Sequence, residues 1–247
     1  MFFFFFFSHV WHRALATMQY SSIQSLHNGE RALMKARARL ANAGARNVHT
    51  TLAEDAEQNA FFSTREGVFD RVLVDAACSS SGSWGVNPSH KWSASLPGLI
   101  AESVEQQQTL LRRASRMARV GGRLVYVTNS ILRAENEKTV ERFLESYGAH
   151  FRLLPAREIW ERVMPGVAWP CAQDVFLKLL PSARVGGYFA AVLERTSDQE
   201  LPPEPEPAQP KTQVPEVRAS DYPQAGVMQA SKRPAVARPR SVTAKKQ

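Results

Sequence analysis

Val68-Phe-Asp-Arg-Val-Leu-Val-Asp75-Ala-Ala-Cys78-Ser-Ser-Ser-Gly82 is the stretch that decides the fold, and Gly122-Arg-Leu-Val-Tyr-Val-Thr128-Asn129-Ser130 repeats its form. Each is an apolar run that stops abruptly at small polar residues. A strand buried on both faces reads as a continuous hydrophobic run, and an open α/β sheet binds its ligands at the carboxyl ends of such strands. Outward from this pair, helical and extended patterns alternate. From Gly29 to Ala43, Leu33, Ala36 and Leu40 share one helical face, and Gly44 is a natural stop. Val48 to Leu52 reads as a short strand. Ile100 to Arg119 reads as a helix ended by Val120-Gly121-Gly122, and Leu124 to Val127 as the second buried strand. Glu135 to Tyr147 reads as a helix with an acidic first turn, and Phe151 to Leu154 and Tyr188 to Leu193 as further strands. The alternation predicts an α/β fold with a doubly wound parallel sheet. Residues 79 to 98 read as a loop that carries Trp84 and Trp92.

The chain has 247 residues, 44% of them hydrophobic, enough for one substantial domain with tails. Phe2 to Phe7 is a homopolymer shorter than a secretory core and without a basic leader, so residues 1–27 read as an irregular, low-complexity N-terminus or a misplaced gene start. The domain is expected over 28–197. Beyond it, Pro202, Pro203, Pro205, Pro207 and Pro210 give way to a basic end with Lys232, Arg233, Arg238, Arg240, Lys245 and Lys246, so 198–247 is expected to be disordered. A net charge of +8 fits a polyanionic partner, and equally a basic tail alone. No stretch approaches the ~20 apolar residues of a membrane span. Two distant cysteines, Cys78 and Cys171, make neither a disulfide framework nor a metal cluster, so no metal and an intracellular, reducing compartment are expected.

Asp75 closes a hydrophobic strand, either as a carboxylate at the ligand rim or as a cap for the serines that follow. Cys78 sits in a strand-to-helix turn, where backbone N–H groups can favour the thiolate; the alternative is an inert small side chain.

The ordered set of motifs is more specific. Asp75-Ala-Ala-Cys78-Ser-Ser-Ser-Gly82, Asn87-Pro-Ser-His-Lys91-Trp92, Gln108, Gly121-Gly-Arg-Leu-Val-Tyr-Val-Thr128-Asn129-Ser130 with Glu135-Asn136-Glu137, and Gly187-Tyr188-Phe189 together resemble the Sun (RsmB/NOP-type) family of RNA 5-methylcytosine methyltransferases. The resemblance covers roughly residues 28 to 195. It implies a class I, Rossmann-like methyltransferase sheet, S-adenosylmethionine as cofactor and RNA, ribosomal or transfer, as substrate. In that family a thiolate adds to carbon 6 of cytosine, which makes carbon 5 nucleophilic, and a second cysteine assists product release. Carried over by position, Cys78 is the release cysteine and Asn129 stands at the nucleophile position. Asp75 and Asp55 would contact the cofactor, with Glu30 a weak substitute for the ribose-gripping acid. Lys91 and Arg184 would contact RNA, and for both the alternative is a plain solvated charge.

The departures define further expectations. The carboxamide of Asn129 cannot add to carbon 6. No glycine precedes Gly29, so the family's Gly-rich cofactor loop is absent and cofactor binding is expected to be impaired. Ser25 or Leu26 takes the place of the ribose-gripping acid. Ala77 replaces a proline and Gly186 an aspartate. The first strand and its loop are therefore expected to be missing. Three readings follow: an RNA cytosine-5 methyltransferase, an inactive RNA-binding relative or gene fragment, and an enzyme in which Cys78 itself attacks the base.

Overall fold

The computed structural model of the chain describes residues 2–6, 22–27, 29–52, 61–92, 95–182 and 186–203. Within them, strands β1 (Phe2–Phe6), β2 (Ser22–His27), β3 (Val48–Leu52), β4 (Phe69–Asp75), β5 (Ala118–Thr128), β6 (Phe151–Leu154), β7 (Leu177–Leu179) and β8 (Tyr188–Arg195) form one sheet. Its order is β3-β2-β1-β4-β5-β8-β6, with β7 beside β8. The first five strands run parallel, whereas β8 is antiparallel to β5, β6 and β7. The carboxyl ends of β1 to β5 therefore share one edge. The winding reverses between β1 and β4, the place where such sheets bind ligands.

The gap expected at the first strand is filled. Phe2–Phe6 pairs with β2 from Phe2↔Ser22 to Phe6↔Leu26 and with β4 from Phe3↔Arg71 to Phe6↔Val74. Residues 1–27 are thus not an irregular segment throughout, because β1 and β2 both lie there. A homopolymer has no period to read, yet an aromatic run has the propensity for a strand, and β1 takes an interior place in the sheet order. β2 was hidden for a related reason. Its Ile23 and Leu26 are fully buried, but Ser25 and His27, also buried, interrupt the apolar pattern.

Helices α1 (Glu30–Asn42), α2 (Leu96–Met117), α3 (Glu137–Tyr147) and α4 (Ala156–Val163) accompany the sheet. Leu33, Ala36 and Leu40 are the buried face of α1, as the spacing predicts. α2 begins earlier than the apolar pattern, at Leu96 with Pro97 in its first turn, where a missing N–H has no cost. Leu111, Ala114 and Met117 of α2 join Val72, Val74, Leu124 and Tyr126 in the main core. Phe143 stacks on Tyr147 with centroids 4.7 Å apart and meets Phe151 edge-on. A second cluster gathers Trp84, Leu96, Ile100, Val104 and Leu132.

The Gly121-Gly122 pair lies inside β5 rather than ending an element. The β4–β5 register shifts between Phe69 and Arg71, Gly121 has φ 72°, and a Cβ on Gly122 would lie 2.7 Å from the Arg119 carbonyl. The helix therefore stops at Met117 and a bulged strand starts directly after it. Leu201 is 5% exposed in the main core, and Arg116 Nη2 donates to Pro202 O at 2.6 Å, so packing runs past residue 197. The basic segment after residue 204 lies outside the described residues. Among the described residues no helix is long and apolar enough to cross a membrane.

Candidate active site

Asp75 ends β4 and Val127 lies opposite it on β5. The two strands release their chains side by side, and Ala76 N donates to Val127 O at 3.0 Å. Cys78 follows on the β4 side and Asn129 on the β5 side. Ser80, between Cys78 and Ser81, has φ 53° and is the non-glycine residue that takes a left-handed conformation among those described. The backbone N–H groups of Ser80, on the β4 side, and of Asn129, on the β5 side, favour the Cys78 thiolate. The segments that carry Cys78 and Asn129 are therefore neighbours.

The thiol is nonetheless held protonated. Burial, and after it the charge of Glu135, push the Cys78 thiol up from 9.0 to about 11, with a smaller push from Asp75; the amides of Ser80 and Asn129 only partly oppose this. A thiol in this state is poorly poised for attack on a pyrimidine. Asn129 faces the third strand of the site. Its Nδ2 donates to Gly187 O at 2.7 Å, and its own carbonyl accepts from Gly82 N at 3.0 Å. Gly187 N in turn donates to Gly82 O at 2.8 Å. A Cβ on Gly82 would lie 2.3 Å from the Gly187 carbonyl, so only glycine admits this approach of the β4, β5 and β8 ends.

A buried polar cluster backs the two loops. Glu135 is fully buried; Ser79 N donates to its Oε1 at 2.7 Å, and Ser79 Oγ and Ser130 Oγ donate to its Oε2 at 2.6 and 2.5 Å. Asn136 accepts from Thr128 Oγ1 at 2.6 Å and donates to Ser130 O at 2.8 Å. Gln107 Nε2 donates to Ala77 O at 2.9 Å, whereas Gln108, the motif residue, donates to Thr139 O at 2.7 Å and joins α2 to α3. The residue that touches the cysteine loop is thus Gln107. Spacing along α2 could not separate the two, since adjacent residues share the same motif. Glu135 and Asn136 precede α3 rather than open it, because their side chains turn back to the β5 end.

The remaining site residues are scattered. Glu30 is exposed in the first turn of α1. Lys91 is exposed, its Nζ 5.0 Å from the ring centroid of the exposed Trp92. Trp84, the other half of that pair, belongs to the second core cluster instead. Asp55, Arg184 and the segment 7–21 where a cofactor loop would lie are outside the described residues. Among the described residues no cluster of His, Cys, Asp and Glu is placed to hold a metal ion.

S-adenosylmethionine fits this edge in part. Asp75 stands at the β4 end beside the reversal of winding, where the cofactor is expected. The end of β2 does not fit: Leu26 is fully buried, Ser25 Oγ and His27 Nε2 bond each other at 2.8 Å, and none of these three residues brings a carboxylate to a ribose.

Comparison with known proteins agrees with the architecture. The chain is 40% identical over 78 residues to a probable ribosomal RNA small subunit methyltransferase B of Synechocystis, covering 32% of this chain and 17% of that protein. It is 32% identical over 143 residues to ribosomal RNA small subunit methyltransferase F of Escherichia coli, covering 57% of this chain and 28% of that protein. The chain thus spans less than a third of the length of these curated relatives. Among solved structures it is similar to NSun6 from Pyrococcus horikoshii with SFG, at a TM-score of 0.61 and 18% identity, over 79% of this chain and 48% of that one. That likeness shows the class I methyltransferase fold. Residues 16–194 match the family model described as 16S rRNA methyltransferase RsmB/F, and the chain belongs to that family.

Proposed function

We propose that this chain is the methyltransferase unit of an RNA cytosine-5 methyltransferase, with ribosomal RNA as substrate and S-adenosylmethionine as methyl donor. The observation that supports this reading best is the meeting of Cys78 and position 129 at the adjoining ends of β4 and β5, in a chain of this family. When bound, the cofactor would supply an electrophilic methyl group. Asp75 would orient it at the β4 end. Cys78, partly buried and protonated, is suited to exchange a proton at the base and not to open the attack on it. Lys91 and Trp92, exposed at the end of the 3-10 helix Pro88–Trp92 that interrupts the expected loop before α2, offer a cation and an aromatic face to RNA.

Asn129 favours a second reading, that of an RNA-binding relative without methyl transfer. Its carboxamide is committed to the Gly187 carbonyl and cannot form a covalent bond to carbon 6. The experiment is a methyl-transfer assay on ribosomal RNA with labelled S-adenosylmethionine, comparing the full chain with Asn129→Cys. The first reading expects Asn129→Cys to exceed the parent chain by about two orders of magnitude or more. Cytosine-5 product in the parent chain would also support it. RNA binding without transfer in either protein would establish the second.

A further inference from the structure

Glu135 is a costly way to fasten two loops. It is fully buried, and the donors that meet its carboxylate are neutral: one backbone N–H and two hydroxyls. A buried carboxylate without a counter-cation is normally disfavoured unless its lone pairs are well met. Here they are met by Ser79 N, Ser79 Oγ and Ser130 Oγ. The donors come from the two strand ends that form the pocket. The rest of the cluster is consistent in direction. Ser130 Oγ gives its proton to Glu135, so it accepts from Ser81 Oγ at 2.9 Å and from Leu132 N at 3.0 Å. Ser81 Oγ then accepts from Ile131 N at 3.0 Å. Tyr126 OH donates to the Glu135 carbonyl at 2.6 Å and fixes the backbone of the same residue.

We propose that Glu135 is a positioning residue, whose carboxylate clamps the loop after β4 onto the loop after β5 and so holds the Cys78 thiol against position 129. The clamp acts through Ser79, directly beside Cys78, and through Ser130, directly beside Asn129. Its charge acts as well. Titratable groups face the thiol from three elements: Asp75 on β4, Tyr126 on β5 and Glu135 from the segment before α3. After burial, Glu135 has the largest effect on Cys78, and it opposes the thiolate. Tyr126 is raised well above its ordinary value by burial and then by the same carboxylate. Cys78 is thus kept as a thiol and not as the thiolate that a nucleophile requires.

The inference rests on the pocket assignment proposed above, but its test needs neither cofactor nor RNA. A failed methyl-transfer assay would leave it standing. The full chain is alkylated with iodoacetamide from about pH 7 to pH 10, and the two cysteines are followed separately by mass spectrometry. Cys171, which lies beside β7 and accepts from Lys178 N, is the internal reference. Glu135→Gln is expected to raise the Cys78 rate about tenfold near pH 8, with the rise of its profile moved to lower pH. Ser79→Ala and Ser130→Ala keep the charge and weaken the clamp. They are expected to raise the Cys78 rate by the same factor at every pH. A Glu135→Gln profile that coincides with the parent after normalisation to Cys171, or differs by a pH-independent factor alone, overturns the electrostatic part. Unchanged Cys78 rates in both serine variants overturn the clamp, and they decide the matter if Glu135→Gln fails to melt cooperatively.

Discussion

At the scale of single residues, Asn129 and Cys78 carry opposite lessons. Asn129, to which the motif resemblance assigns the place of a nucleophile, serves in the structure as a brace between the β5 and β8 ends. Asn129→Ala should lower the unfolding free energy by about 1 kcal/mol, since a partly buried carbonyl loses its donor; urea titration of the two proteins checks this. The replacement was legible in the sequence, but its structural use was not, because Gly187 is brought to it only by the antiparallel return of β8. Cys78 gives a prediction in pH. Its native thiol is raised to about 11 from 9.0, so the folded chain keeps a proton that the unfolded chain releases. Stability from this source is complete below about pH 9 and is lost as pH rises through about 11, a contribution on the order of 2 kcal/mol. Denaturant titrations at about pH 8 and pH 10.5 should therefore show a decline that Cys78→Ala reduces. A slope unchanged by the substitution would contradict the assignment.

At the scale of elements, most boundaries were readable where one period dominated. Val48–Leu52 and Phe151–Leu154 occur as strands over the expected residues, and α1 differs from the expected helix by its end residues alone. The failures share a physical cause. β5 was read from Leu124 because Gly121-Gly122 resembles a stop; in the structure the glycines form the bulge that lets β5 begin at Ala118. α4 and β7 were not read at all. α4 buries only Ala156, and β7 is three residues long, so neither leaves an apolar stripe to detect. The close approach of the β4 and β8 ends gives a sharper test. Gly82→Ala would set a Cβ 2.3 Å from the Gly187 carbonyl, and a loss of roughly 2 kcal/mol or more is expected, visible as a lower melting temperature. Tyr126→Phe removes one buried hydrogen bond to the Glu135 carbonyl and should cost about 1 to 2 kcal/mol by the same measurement.

At the scale of the whole molecule, the sheet was legible as a class and not as an assembly. The alternation of strands and helices gave the doubly wound arrangement, and the two strand ends gave the location of the site. The occupant of the central place was not legible, because seven consecutive phenylalanine and methionine residues carry no alternation to interpret. Phe4 pairs with Gln24 on one side and Val72 on the other. Phe4→Pro removes a ladder donor from a strand flanked on both sides and should cost about 3 kcal/mol or more; loss of the cooperative thermal transition would be the signature. The position of β1 also bears on how the molecule is made. Among the described strands it is the one that joins the β2–β3 half of the sheet to the β4–β5 half, and Phe3 must wait for Arg71 before the second ladder can close. That closure is non-local and entropically slow. On the ribosome, the homopolymer would emerge long before its partner strand, a greasy ribbon with two unmet edges. Until β4 is made, the edge that β1 later pairs with it stays open, and an open strand edge is a template for self-association.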